Sequence, residues 1–256
     1  ANSTVAMEAR RALEKAESSG AVPRGVVEII EGFSTHVTLP EKADLLVAEI
    51  FGSIASTEGF ITTILDAQQR HLQSPRDPAS YIPQRVQTRC APVSCLGDAM
   101  NRALRIGVSA VPGFDVAMLA REDQWGFLSN PQLLEDFELH KPFEFYLRED
   151  YGENQDLVFR YSSALDFVIE HDKINQARLA YYDHLKKVWD EFNLPLEDLS
   201  ALAKDASHSC SGLANWLNLI LDSDRNLAID VSEGDRTHWD ILLTHLSARP
   251  PRVVGN

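Results

Sequence analysis

The sequence predicts an α/β domain over residues 1–80, followed over residues 81–256 by a β domain that contains a helical insertion. Three observations support this fold class. Helix-like and strand-like patterns alternate up to His71, three prolines fall between residues 74 and 83, and short strand-like runs follow. Alternation of strands and helices is typical of a parallel sheet, whereas short alternating runs are typical of antiparallel sheets. We therefore place the domain boundary within residues 74–83.

The first predicted domain has the element order helix, strand, strand, helix. An amphipathic pattern over residues 3–18 predicts the first helix, and a second helix is expected over residues 57–71. Between them, the β-branched run at 26–30 and the apolar run at 44–49 each predict a short buried strand. Because parallel strands need a crossover connection, this order indicates a parallel sheet flanked by helices.

The second predicted domain consists of short strands and a helical insertion. Residues 85–94 alternate in strand fashion, and further strand-like runs lie at 156–160, 166–170, 215–221 and 239–244. Apolar residues recur at helical spacing over residues 174–192, which predicts a strongly amphipathic helix. A shorter helix is expected at 195–204, so the insertion covers about 174–205.

The charge balance is acidic. The chain has 38 Asp and Glu residues against 24 Lys and Arg, which gives a formal net charge of -14 at pH 7. An acidic surface repels phosphate backbones and attracts cationic partners, so we expect no nucleic-acid binding and regard basic peptides as plausible substrates. Solubility is the simpler explanation of the charge. No run of 18 or more apolar residues occurs, so no membrane-spanning helix is expected.

The three cysteines, Cys90, Cys95 and Cys210, form neither a CxxC motif nor a zinc-ligand spacing. An odd number of cysteines without a disulfide framework indicates a reducing compartment, so we expect the protein in the cytoplasm, the nucleus or both. We interpret the thiols as small buried apolar side chains and expect no metal site.

Two carboxylates frame the loop that follows the second predicted strand. Glu49 closes that strand and Glu58 opens the next helix. Ligands of α/β sheets bind beyond the carboxyl ends of the strands, where these two side chains can face one another. Two close carboxylates repel unless a cation lies between them, and a guanidinium offers five donors in a matching planar fork.

A simpler interpretation of each glutamate remains open at this point. Glu58 can be an acidic residue favoured in the first turn of a helix by the helix dipole. Glu49 can be an ordinary carboxylate at the end of a strand.

The spacing of Glu49 and Glu58 after a Leu-Leu-Val strand resembles the double-E loop of protein arginine methyltransferases. Other segments resemble that family and occur in its order along the chain. They are the turn at 32–40, Ile82-Pro83, Cys90-Ala91-Pro92-Val93-Ser94, Gly113-Phe114-Asp115 and Thr237-His238-Trp239. The resemblance extends over the whole chain.

The resemblance implies a fold and an activity. Residues 1–80 would be the back half of a Rossmann-like methyltransferase domain, and residues 81–256 a β-barrel-like substrate domain. The expected reaction is methyl transfer from S-adenosylmethionine to an arginine guanidinium of a protein or peptide. A dimerisation arm at about 125–155 and a homodimer are also expected.

The resemblance also assigns roles to five residues. Glu49 and Glu58 would clamp the substrate arginine. His238 would lie against this acidic site and orient it or carry away a proton, although a histidine that simply packs beside Trp239 is the alternative. Ser34 and Thr35 fall where the family contacts the adenine of S-adenosylmethionine.

The chain departs from the family in its cofactor motif. The glycine-rich turn and the acidic residue that holds the ribose are missing, and the family frame places both just before Ala1. We therefore expect a fragment or processed chain. Small residues between the glutamates resemble the symmetric or monomethylating branches, whereas Thr237-His238-Trp239 resembles the asymmetric branch, so the product stays open. A non-catalytic scaffold and a small-molecule methyltransferase are the alternative functions.

Overall fold

The computed structural model describes residues 3–97, 125–143, 146–147, 157–158, 165–192, 199–233 and 239–245. Within these ranges the chain forms a small α/β layer, a curled antiparallel sheet that makes a half-barrel, and two helices packed on that sheet.

The α/β layer contains two helices and a parallel pair of strands. Helix α1 spans Ser3–Ser18, strand β1 Leu46–Val47, helix α2 Phe60–Arg70 and strand β2 Tyr81–Ile82. Strand β1 pairs with β2 in parallel, and α2 lies between them in the chain. Both predicted helices are therefore confirmed, and the strand predicted at 44–49 is present but shorter.

The strand predicted at 26–30 is wrong. This segment has no regular secondary structure and joins no strand of the described residues. The side chains of Val26, Val27 and Ile30 are 65%, 47% and 44% exposed. A β-branched run forms a strand only where a neighbouring strand accepts its backbone hydrogen bonds, and the layer offers none to this segment.

Six strands form the half-barrel, and every pair is antiparallel. They are β3 (Arg85–Cys95), β4 (Trp125–Phe127), β5 (Gln132–Glu138), β8 (Gly212–Asp222), β9 (Leu227–Asp230) and β10 (Leu242–His245). The central strand β3 pairs with β8 along one edge and with β5 and β4 along the other. Strands β6 (Tyr146–Leu147) and β7 (Leu157–Val158) form a separate antiparallel pair.

The outcome for the second predicted domain differs between segments. The strands predicted at 85–94, 215–221 and 239–244 correspond to β3, β8 and β10, and β7 lies within the run at 156–160. The strand predicted at 166–170 is wrong, because this segment pairs with no strand among the described residues and leads directly into a helix.

One continuous core joins the α/β layer to the half-barrel. Phe51 and Phe60 come from the α/β layer, and Phe137 and Trp216 come from the sheet. The ring of Phe60 packs edge-on against Phe51 at 5.1 Å and against Phe137 at 5.4 Å between centroids. Because Phe51 lies in the loop between β1 and α2, that loop is packed against the sheet through this aromatic cluster.

The predicted helical insertion is present as helix α3 (His171–Phe192) and helix α4 (Leu199–Ser207), and residues 195–198 of the second predicted helix lie outside the described residues. The two helices share a second apolar cluster with Leu96. The hydroxyl of Tyr181 donates to the backbone oxygen of Ser94 at 2.7 Å, which anchors α3 on β3. None of the described helices is long and apolar enough to cross a membrane.

The range 125–155, expected as a dimerisation arm, supplies β4 and β5 to the half-barrel. Much of the remainder, 144–145 and 148–155, lies outside the described residues, as does Gly113-Phe114-Asp115. The arm and the homodimer therefore stay predictions.

Candidate functional site

The loop from Glu49 to Glu58 connects β1 to α2 and has a buried body with exposed ends. Phe51, Gly52 and Ala55 are buried, whereas Glu49 and Glu58 are both exposed. The apolar residues fix the loop in the core, and the two carboxylate-bearing residues remain accessible to a ligand from solvent.

The loop folds back on itself at Gly52. A Cβ atom on Gly52 would lie 2.1 Å from Thr57 Oγ1 and 3.4 Å from Glu58 Oε1. No other residue type fits here without moving the chain. The Glu58 carboxylate therefore lies over Gly52, close in sequence to Glu49, and the two glutamates belong to one compact turn.

Glu58 adopts an unusual backbone conformation. Its φ is 63°, in the left-handed region, and the following Gly59 has φ 75°. For a residue with a Cβ this conformation costs about 1–2 kcal/mol. Such strain persists where the surrounding structure enforces it, and it is frequent at functional sites. Here it turns the chain at Glu58 directly into helix α2.

The second half of the loop is held by the half-barrel. The backbone N–H of Ala55 donates to Thr88 Oγ1 at 2.8 Å, and the N–H of Ser56 donates to Glu135 Oε2 at 3.2 Å. Sequence analysis missed both Thr88 and Glu135. One available signal is that Glu135 shares the inward face of β5 with Phe137, at the two-residue spacing of a strand.

The first half of the loop is held by the segment at 239–240. The indole N–H of Trp239 donates to the backbone oxygen of Phe51 at 2.6 Å, and the hydroxyl of Ser53 donates to the backbone oxygen of Asp240 at 3.0 Å. The predicted catalytic residue His238 lies outside the described residues, so its role stays a prediction. The residue that follows it in the chain contacts the loop.

The turn that contains Ser34 and Thr35 lies beside the C-terminal half of helix α2. The guanidinium of Arg70 donates to the Ser34 backbone oxygen at 3.0 Å and pairs with Asp66 at 2.7 Å. The hydrogen bond with Arg70 lowers the pKa of the Asp66 carboxyl from its ordinary value. Asp66 is about 9 Å further along the helix axis than Phe60, where the loop ends.

The structure places the Glu58 carboxylate over Gly52 and the backbone oxygen of Ser34 beside Arg70 of helix α2. The guanidinium clamp of Glu49 and Glu58 and the adenine contact of Ser34 and Thr35 stay predictions. Among the residues that the structure describes, no group of three or more His, Cys, Asp and Glu side chains can hold a metal ion.

The three cysteines have no proposed role in this loop. Cys90 and Cys95 are buried, and none of the three cysteines forms a disulfide bond. Burial raises the pKa of the Cys90 thiol to about 11, so the thiolate that reacts with electrophiles is scarce at neutral pH. Cys90 and Cys95 are thus packing residues, as expected, and Cys210 is partly exposed.

Comparison with known proteins defines the class of fold. No protein-family model matches the sequence, and a comparison with curated proteins gives no match. A solved structure of protein arginine methyltransferase 10 from Arabidopsis thaliana, in an open conformation, matches 93% of this chain with a TM-score of 0.51 and 13% identity. The chain thus has a protein arginine methyltransferase-like fold.

A second solved structure, the PRMT1 enzyme-prozyme heterotetrameric complex of Trypanosoma brucei with AdoHcy, matches 54% of this chain with a TM-score of 0.39 and 20% identity. The chain covers 65% of the Arabidopsis protein and 44% of the Trypanosoma protein. It therefore spans less than two thirds of either matched chain.

Proposed function

We propose that this protein binds the guanidinium of a substrate arginine between Glu49 and Glu58 and serves the transfer of a methyl group to it. The observation that carries the proposal is the compact turn at Gly52, which holds the Glu58 carboxylate in the same loop as Glu49. The methyltransferase-like fold supports the same reaction class.

The chemistry of the two carboxylates suits a guanidinium. An arginine side chain stays charged in a protein, and its planar fork pairs with carboxylates two donors at a time. Clamping by Glu49 and Glu58 fixes the plane and draws positive charge toward the clamped nitrogens. The remaining terminal nitrogen is then oriented as the nucleophile, and such orientation can supply much of a rate enhancement.

The methyl donor that this fold implies is S-adenosylmethionine, which supplies an electrophilic methyl group. The formal net charge of -14 favours encounter with basic protein segments, so we propose an arginine-containing protein or peptide as the substrate.

A methyl-transfer assay with S-adenosylmethionine and an arginine peptide tests the proposal. Glu49→Gln and Glu58→Gln should each lower the rate at least about 100-fold, because each removes one charge of the clamp. Glu41→Gln is the matched control, since Glu41 is exposed and lies outside the loop. Rates that are equal in all three variants would contradict the proposal.

A second candidate is an arginine-binding module that transfers no methyl group. It is favoured by the place of the Ser34-Thr35 turn, which is bound to the C-terminal half of α2 and not to the loop. Calorimetry with S-adenosylhomocysteine separates the two functions. Micromolar binding of S-adenosylhomocysteine, which corresponds to about 8 kcal/mol, supports the enzyme. If the protein binds the arginine peptide but not S-adenosylhomocysteine, the binding module is supported.

A further inference from the structure

A chain of three hydrogen bonds connects the loop to two strands of the half-barrel. The N–H of Ala55 donates to Thr88 Oγ1 at 2.8 Å, and the Thr88 hydroxyl donates to Glu135 Oε2 at 2.6 Å. The same carboxylate oxygen accepts the N–H of Ser56 at 3.2 Å. Two consecutive backbone amides of the loop are thus bound by one pair of side chains.

This hydrogen-bond chain lies in the interior of the protein. Ala55 and Thr88 are 0% exposed, and Glu135 is 5% exposed. A buried carboxylate is costly unless it accepts hydrogen bonds, and charge-assisted bonds are about twice as strong as neutral ones. Two of the three bonds end on Glu135 Oε2, and the third links Ala55 to Thr88, so the buried carboxylate is hydrogen-bonded and the second half of the loop is attached to the half-barrel.

Local strand geometry makes the arrangement possible. Thr88 and Glu135 are direct partners across β3 and β5, and the register of these strands shifts just after Thr88, at Arg89. Irregularities of this kind redirect side chains and are frequent next to functional sites. The pairing of β3 with β5 thus determines where the two side chains meet the loop.

The bound amides lie between the two glutamates of the clamp. Trp239 holds the loop at Phe51, and the hydrogen bonds of the Ala55 and Ser56 amides are a second attachment on the side of Glu58. A displacement of about 1 Å in a clamp of this type can lower a rate about 100-fold.

We infer that Thr88 and Glu135 are positioning residues of the arginine site: they set the spacing of Glu49 and Glu58 by binding the Ala55 and Ser56 amides, and they do not touch the substrate. This inference rests on the proposed function, because it concerns the same loop.

Two substitutions of Thr88 test the inference through the affinity for an arginine peptide, measured by calorimetry. Thr88→Val keeps the shape of the side chain but removes the hydroxyl, so it should weaken binding at least about tenfold. Thr88→Ser keeps the hydroxyl and should stay within about threefold of the wild type. Amide hydrogen exchange of Ala55 and Ser56 should accelerate in Thr88→Val only.

Ser94→Ala is the control for a loss of stability without loop displacement. Ser94 is a buried hydroxyl residue on the same strand, but it bonds to Tyr181 and not to the loop. It should lower the thermal midpoint and leave the peptide affinity unchanged. If Thr88→Val does not fold, Glu135→Gln takes its place in the test. Its neutral amide oxygen accepts the two hydrogen bonds more weakly than the carboxylate does, so this variant should weaken peptide binding at least about fivefold, which is outside the tolerance given for Thr88→Ser.

The outcomes separate the inference from the function on which it rests. The inference is supported if Thr88→Val weakens peptide binding while Thr88→Ser and Ser94→Ala retain it. Where Thr88→Val does not fold, Glu135→Gln must show the weakened binding instead. If Glu58→Gln weakens binding but the deciding variant does not, the inference alone is overturned. It is also overturned if Ser94→Ala is as damaging as that variant. If the wild type binds no arginine peptide, the proposed function fails and the inference fails with it.

Discussion

The half-barrel and the α/β layer differ in how completely their apolar residues are covered. Val86 on β3 and Trp216 on β8 are 0% exposed, whereas helix α1 has no buried residue and Val47 on β1 is 67% exposed. Parallel strands are normally covered on both faces, and here one face of the pair is open. The candidate loop belongs to the α/β layer but obtains its rigidity from the half-barrel.

The largest expected change in stability comes from a substitution in the core of the half-barrel. Trp216→Ala should lower the free energy of unfolding by about 4 kcal/mol, because it opens a cavity in the shared core and removes the indole hydrogen bond to Asp230. Urea denaturation followed by circular dichroism measures this loss.

The matched substitution in the α/β layer is Val47→Ala, which should change the free energy of unfolding by no more than about 0.5 kcal/mol. A loss above about 2 kcal/mol would mean that Val47 is covered in solution and that the two regions do not differ as described.

The next largest effect concerns the turn of the loop. Gly52→Ala should lower the free energy of unfolding by about 2 kcal/mol and weaken arginine-peptide binding, because the new methyl group would collide with Thr57 Oγ1. Thermal unfolding and calorimetry measure the two quantities.

A double variant sharpens this prediction. Thr57→Ala removes the colliding oxygen, so Gly52→Ala with Thr57→Ala should be less destabilised than the sum of the two single variants. Strict additivity would show that the loop does not fold back at Gly52.

A substitution of Glu58 is expected to raise the free energy of unfolding, by a smaller amount. Glu58→Gly should raise the free energy of unfolding by about 1 kcal/mol, because glycine adopts a φ of 63° without strain, and it should abolish arginine-peptide binding. Chemical denaturation and peptide calorimetry on the same sample test both parts. A destabilised variant would mean that the strain at Glu58 is absent.

The smallest expected effect is on the acid stability of the half-barrel. Burial alone would raise the pKa of Asp136, but hydrogen bonds from Arg85 and Gln87 outweigh it and the pKa is lowered. A lowered folded pKa gives stability that is present above the unfolded pKa of about 3.9 and is lost as the pH falls through the folded pKa. In Asp136→Asn, the free energy of unfolding should therefore fall less steeply with decreasing pH below about pH 4 than it does in the wild type. Denaturation curves recorded across that pH range measure the slope. An unchanged slope would contradict the role of Asp136.

Features that depend on local pattern could be predicted from the sequence. Helix α3 buries Ile174, Ala177, Tyr181 and Leu185 at helical spacing, whereas β3 is buried along nearly its whole length on both faces. The predicted bounds of both elements are nearly correct. The segment from Glu49 to Glu58 lies between a strand and a helix, as its local pattern predicts, and its role as an arginine site stays a prediction. In each case the deciding interactions lie within the segment itself.

Features that depend on distant partners could not be predicted in this way. The run at 26–30 has strand composition, but no strand in the described part of the chain pairs with it. Thr88 and Glu135 are 47 residues apart and meet only because β3 and β5 pair in one register. The place of the Ser34-Thr35 turn depends likewise on Arg70, a residue from another element.

The most direct test of the central claim is a calorimetric titration of this chain with an arginine peptide and with the same peptide carrying lysine in place of arginine. If Glu49 and Glu58 form a guanidinium clamp, the arginine peptide binds at least about tenfold more tightly, and Glu58→Gln removes this preference. Equal affinity for the two peptides, or a preference that survives Glu58→Gln, would contradict the claim that this loop is an arginine site.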